Sequence, residues 1–161
     1  MSSIRNQGVR GKGRKLFEPG FDGSNESIYP DDERTANLLK YLVVGAGGFV
    51  GAIARYMLGT YIGSRYGVRF PYGTFVINMS GCFLIGLIMT LLTRTTASQY
   101  WRYLIPIGFI GAYTTFSTFE YETLRAVQDG QVTTGLLNVA LSVIVGFVAV
   151  WAGAAIGRVF V

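Results

Sequence analysis

The sequence predicts an all-α membrane protein of four transmembrane helices, the third broken near its middle. Three observations lead there. Half of the 161 residues are hydrophobic, only 14% are charged, and mean hydropathy is +0.39. A soluble domain of this size carries about a quarter charged residues. The deficit is concentrated, because residues 1–40 hold 13 of the 23 charged side chains. The second observation is four apolar segments joined by short polar links. The third is the stretch "GAYTTFSTFEYE" at 111–122, rich in hydroxyls inside an otherwise apolar segment.

Residues 1–37 mix Gly, Ser, Asn and Pro with seven Lys/Arg and six Asp/Glu counted through Lys40. No apolar run suits a signal peptide, and low hydrophobicity predicts a mostly disordered tail. "PDDER" near its end reads as a helix start, with acids suited to the positive helix N-terminus. Residues 38–161 then form one membrane domain.

The first apolar segment runs from about Tyr41 to Ser64, the second from Phe70 to Thr93, the third from Tyr103 to Val127 and the fourth from Val132 to Gly157. Each approaches or exceeds the ~20 residues a spanning helix needs. The links "RYGVR", "RTTASQYWR" and "QDGQV" are short, so neighbouring helices alternate in direction and both termini lie on one side. A soluble four-helix core is disfavoured because its helices would show polar faces. Gly47, Gly51, Gly59 and Gly63 recur in the first segment, and Gly153 and Gly157 in the fourth. Small residues let membrane helices approach closely.

Polar groups within the segments sort into stripes, since helical residues four apart share a face. Thr74 and Asn78 lie together in the second segment, Asn138 and Ser142 in the fourth, and Thr115, Thr118 and Glu122 in the third. Each stripe alone serves as interhelical glue. Together they outline a narrow polar track without a central proton carrier. Phe116 and Phe119 are open to two readings, core packing or ring edges turned to an anion. Arg55 is likewise open, to snorkelling or to a fixed positive charge at a vestibule. "GAYTTF" invites a helix break, which would free carbonyl oxygens suited to a hard cation such as Na+.

Other chemistries find little support. The chain has no histidine, and the single Cys82 cannot form an intrachain disulfide. No nucleophile–base pair or metal cluster suggests an enzyme. The net charge of +5 does not argue for nucleic acid, because basic residues also set membrane topology. The competing class is a secondary transporter, such as a small four-helix multidrug exporter or a proton-coupled antiporter. Such coupling normally uses an intramembrane carboxylate or histidine.

Four blocks resemble the CrcB/Fluc family of fluoride channels: "GGFVGAIARY" (47–56), "YGTFVINMSGCFLIG" (72–86), "GFIGAYTTFSTFEYE" (108–122) and "NVALSVIVG" (138–146). The resemblance implies subunits that pair antiparallel as a dual-topology dimer in the cell membrane, with two fluoride pores and one central Na+. It implies passive export of cytoplasmic fluoride. It places Asn78, Phe116, Phe119, Thr74, Ser117, Thr118, Ser142 and Glu122 along the pore and Arg55 at the vestibule. It makes the backbone carbonyls of Gly111 and Thr114 the Na+ ligands. Many relatives carry a tyrosine where this chain has Asn138, so that part of the track is expected to be rewired. Apart from Arg55 within the first segment, Lys/Arg from Arg34 onward divide five against three between the two sides, a weak bias. A homodimer is the first expectation and a heterodimer with an oppositely oriented paralogue the second.

Overall fold

The computed structural model describes residues 31–67, 69–96 and 98–160. Among them the elements are all helical. Helix α1 spans Asp31–Tyr66, α2 Tyr72–Arg94 and α6 Val132–Val159. These three are long and apolar enough to cross a membrane. The chain is thus a helical, multi-pass membrane protein. Helix α1 begins at the acidic run anticipated as a helix start. The boundary drawn at residue 37 therefore falls inside this helix, and the expectation of a disordered tail otherwise lies outside the described residues. At 36 residues α1 is about 54 Å long, well beyond a ~30 Å hydrocarbon core, so one end projects past it.

The third apolar segment is not one helix. It opens with the short α3 (Tyr100–Arg102), widens into a π-helical stretch over Tyr103–Ile110, and tightens into α4 (Gly111–Tyr113). Pro106 sits inside the wide stretch. It has no N–H to donate to the preceding turn, and such a gap is one cause of irregular helix geometry. The chain then leaves helical space at Thr114 (φ −81°, ψ 156°) and Thr115 (φ −148°, ψ 112°). Helix α5 (Phe116–Gln128) resumes from there. Sequence reasoning located the interruption at "GAYTTF" but not the π-helical run before it. Gly111 itself stays helical, and the two β-branched threonines carry the extended backbone.

Close approaches fix how the rods pair. A Cβ on Gly47 or Gly51 would strike the backbone of Leu104 or Phe109, and Arg55 meets Ala112. Residue numbers rise together, so α1 runs parallel to the third segment. A Cβ on Gly86 would strike Val150 and one on Gly153 would strike Phe83, while Gly146 faces Met79 and Cys82. Helices α2 and α6 are therefore also parallel and in backbone contact. With no hydrophobic drive between helices in lipid, this backbone-to-backbone packing is what holds them. By contrast α5 and α6 are antiparallel, with Asn138 against Thr123 and Gly135 against Val127. Gly130 at φ +78° makes the turn between them.

Few side chains are buried. Ile62, Ile77, Ile110, Tyr113 and Phe119 form the apolar core, while large residues such as Phe49, Phe116, Phe147 and Trp151 are exposed. In water this surface would be untenable; in lipid it is the ordinary outer face of a helix bundle.

Candidate functional site: a clamped helix break between two cavities

The extended pair Thr114–Thr115 must satisfy backbone groups that a continuous helix would pair internally. Asn78 on α2 does this for Thr115. Its Oδ1 accepts from the Thr115 N–H at 2.9 Å, and its Nδ2 donates to the Thr115 carbonyl at 3.1 Å. One amide side chain thus replaces both partners of a helical residue. The Thr115 hydroxyl donates to Thr118 Oγ1 at 2.8 Å and accepts from the Thr118 N–H at 3.3 Å, capping α5. The Thr114 hydroxyl and N–H both donate to the Ile110 carbonyl, at 2.9 and 3.0 Å. Arg55 Nε donates to the Ala112 carbonyl at 3.1 Å. Tyr113 is buried, its hydroxyl 2.8 Å from Ser80 Oγ and its ring stacked on Phe109.

These bonds divert two helix donors. In an unbroken helix the Thr115 N–H would pair with the Gly111 carbonyl, and the Thr118 N–H with the Thr114 carbonyl. Here Asn78 takes the first and the Thr115 hydroxyl takes the second. The carbonyls of Gly111 and Thr114 lose their usual donors for that reason. Both residues line the same cavity.

Two cavities meet at the clamp. The larger, about 750 Å³, lies between α1, α2 and α5, and its wall includes Arg55, Arg69, Thr74, Thr118, Glu122 and Arg125. The smaller, about 490 Å³, is bounded by Asn78, Gly111, Thr114, Phe116, Phe119 and Ser142, with Met79 and Cys82 behind. Thr115 borders both. The wall of the first cavity carries three arginines, Arg55, Arg69 and Arg125, against two carboxylates, Glu122 and Asp129. The second has no charged side chain in its wall. The Phe116 and Phe119 rings lie 5.7 Å apart and tilted by 41°. Phe119 is 8% exposed and Phe116 74%, so the smaller cavity opens on the outer face of the subunit.

The structure brings Asn78, Phe116, Phe119 and Ser142 together around one cavity and Thr74, Thr118, Glu122 and Arg55 around the other. Ser117 is exposed and lines neither. Arg55 borders the larger cavity, tied by its Nε to the break. Asn138 is 1% exposed, and its Nδ2 donates to Thr123 Oγ1 at 2.8 Å, which in turn donates to the Phe119 carbonyl at 2.8 Å. Thr123 escaped the sequence reading. The signal available was its i+4 spacing from Phe119, which also fits ordinary back-bonding of a threonine within a helix.

Comparison with known proteins shows the family. The family described as "CrcB-like protein, Camphor Resistance (CrcB)" matches residues 42–154. A protein of Acidobacterium capsulatum named fluoride-specific ion channel FluC is 57% identical over 121 residues, 74% of this chain and 97% of that protein. Proteins of the same name from Solibacter usitatus and a Sulfurihydrogenibium species are 55% and 41% identical, covering 99% and 97% of their own lengths. The match takes in the clamp, both phenylalanines and the polar residues of both cavities, and the chain belongs to the CrcB family.

Proposed function

We propose that this protein is a fluoride-selective channel that lets fluoride leave the cell passively across the cell membrane. The observation that carries it is the clamped break, a constriction of neutral hydrogen-bonding groups between a basic vestibule and an aromatic pocket. Fluoride is small and strongly hydrated. A conduit for it must replace many water contacts at once with donors and ring edges. Hydroxyls of Thr74, Thr118 and Ser142, the free amide proton of Asn78 and the Phe116 and Phe119 edges are of that kind. The relatives' shared name, fluoride-specific ion channel, supports the same reading.

The functional unit on this reading is an antiparallel dimer of four-crossing subunits, the broken third segment being the fourth crossing. The exposed Phe116 and the outward opening of the smaller cavity favour a second copy as its missing wall. The carbonyls of Gly111 and Thr114, deprived of helix donors, suit a Na+ held on the two-fold axis by both copies. Such an ion would be structural, holding the subunits together by neutralising carbonyl dipoles. A homodimer is the simplest assembly, and a heterodimer with an oppositely oriented paralogue remains the alternative.

The deciding experiment is fluoride efflux from liposomes holding the purified protein, read by a fluoride electrode. Efflux should start when a potassium ionophore relieves the electrical block and should need no proton gradient. A proton-coupled transporter is the competing reading, and Glu122, a carboxylate in the cavity wall, is the feature that favours it. Efflux that depends on an imposed proton gradient would select that alternative.

A further inference from the structure

Helix α4 is a single turn, Gly111–Tyr113, set between the π-helical stretch and the extended pair Thr114–Thr115. One turn closes too few hydrogen bonds to hold its own orientation. Neighbouring helices must supply it, and α2 does so at three points. Asn78 grips Thr115 through both amide atoms. Gly81 lies against the Thr114 methyl, which a Cβ there would strike. The third contact joins the hydroxyls of Ser80 and Tyr113 at 2.8 Å.

The direction of that bond follows from counting protons. Ser80 Oγ also donates to the Ile77 carbonyl at 3.0 Å, and a carbonyl can only accept. A serine hydroxyl has one proton, so Ser80 gives it to Ile77 and takes the proton of Tyr113. Tyr113 is buried, and the Ser80 oxygen is the acceptor its hydroxyl needs. This bond constrains Gly111 and Thr114 together. Residues two apart on a helix point about 200° apart. With Tyr113 turned to α2, Gly111 is held on the opposite, exposed side of the turn. Thr114 hangs between two anchors, Tyr113 on Ser80 and Thr115 on Asn78. The Thr114–Thr115 peptide is trans, so with the Thr115 N–H aimed at Asn78 the Thr114 carbonyl points away from it.

We propose, resting on the Na+ site put forward above, that the Tyr113–Ser80 bond is a latch that holds Gly111 and the Thr114 carbonyl in place for the cation. Tyr113 and Ser80 line neither of the two cavities, so they act as positioning residues and not as ligands. Without the latch α4 keeps the ring stack of Tyr113 on Phe109 but is free to roll about it. Its carbonyls then spend part of their time turned from the ion. Na+ binding must restore that order at the expense of its own affinity.

The test uses Tyr113→Phe, Ser80→Ala and the double variant, purified in detergent at one protein concentration. Tyr113→Phe keeps the ring and its stack and leaves Ser80 bonded to Ile77, so the subunit still folds. Each protein is equilibrated in a large organic cation and titrated with Na+, and the readout is the rise in melting temperature that Na+ produces. Each single variant should need about fivefold more Na+ than wild type, or more, for the same rise, the worth of one hydrogen bond. The double variant should need no more than the single ones, because all three lose the same bond. Without Na+, Ser80→Ala should melt below Tyr113→Phe, since it strands the buried Tyr113 hydroxyl; the reverse order overturns the latch. A packing role lowers the melting temperature equally with and without Na+. An unchanged Na+ requirement in Tyr113→Phe, with wild type still responding, therefore also overturns the latch and leaves the cation site standing. A wild-type protein indifferent to Na+ removes the cation site, and the latch with it. None of these readouts depends on which anion is conducted.

Discussion

Asn78→Asp separates the two jobs that the geometry gives to Asn78. The substitution keeps shape and keeps an acceptor for the Thr115 N–H, now 2.9 Å from Asn78 Oδ1. It removes the donor that reaches the Thr115 carbonyl at 3.1 Å and sets a second acceptor against that oxygen. Leaving such a carbonyl unsatisfied costs about 1–3 kcal/mol. The new negative charge also stands at the junction of the two cavities. An anion passing about 5 Å away, at an effective dielectric of about 20, meets about 3 kcal/mol of repulsion. That is a slowing on the order of a hundredfold. Fluoride efflux from liposomes should therefore fall by about two orders of magnitude at neutral pH. Acid should reverse it. A protonated carboxyl offers one O–H donor and one acceptor, the pair the amide presents to Thr115, and carries no charge. Lowering pH from about 8 to about 5 should raise efflux in the variant relative to wild type, since a buried carboxyl takes up its proton more readily than an exposed one. Protein-free liposomes at each pH correct for fluoride that crosses the lipid as HF. Efflux equal to wild type at neutral pH would refute both roles. Loss without recovery in acid would refute the charge and isosteric-clamp reasoning, leaving Asn78 a packing residue.

Other outcomes follow from the same geometry. Phe116→Ile and Phe119→Ile should each cut fluoride efflux by at least about tenfold while gel filtration shows an intact dimer, because isoleucine keeps bulk and loses the aromatic edge. Phe119→Ile should also lower the melting temperature, since Phe119 is buried and Phe116 is not. Replacing Na+ with a large organic cation should lower dimer stability in detergent without changing the charge carried per fluoride. Thr114→Ser should be mild, as the hydroxyl that bonds the Ile110 carbonyl is kept. Gly111→Val should abolish dimers yet leave a folded, helical subunit by circular dichroism. Within one chain a Cβ there meets only Pro106 O at 3.8 Å, so on the proposed dimer the obstruction comes from the second copy. Gly153→Val should instead unfold the subunit itself, because its Cβ would run into the Phe83 carbonyl on α2.

The sequence by itself determined the class of molecule. Charge scarcity after residue 40, four apolar runs and short links are local properties, and lipid leaves helices few other solutions. The break was legible for a similar reason: two adjacent β-branched threonines with hydroxyls can stabilise extended backbone from within their own segment. Pro106 was an equally local signal for the irregular turn before it, but its effect on the hydrogen-bond ladder is not local to one residue. What only the tertiary structure decided is who answers the break. Asn78 lies 37 residues from Thr115, and Arg55 lies 57 from Ala112. Helices apolar nearly all round carry no face that announces a partner, so periodicity could not pair α1 with the third segment or α2 with α6. Those pairings rest on backbone meeting backbone at Gly51, Gly86 and Gly153, a contact that exists only once the chain is packed. The diversion of the Thr115 N–H to Asn78 depends in turn on that packing. Hydrogen bonds between distant segments are selected by three-dimensional proximity, which no one-dimensional spacing encodes.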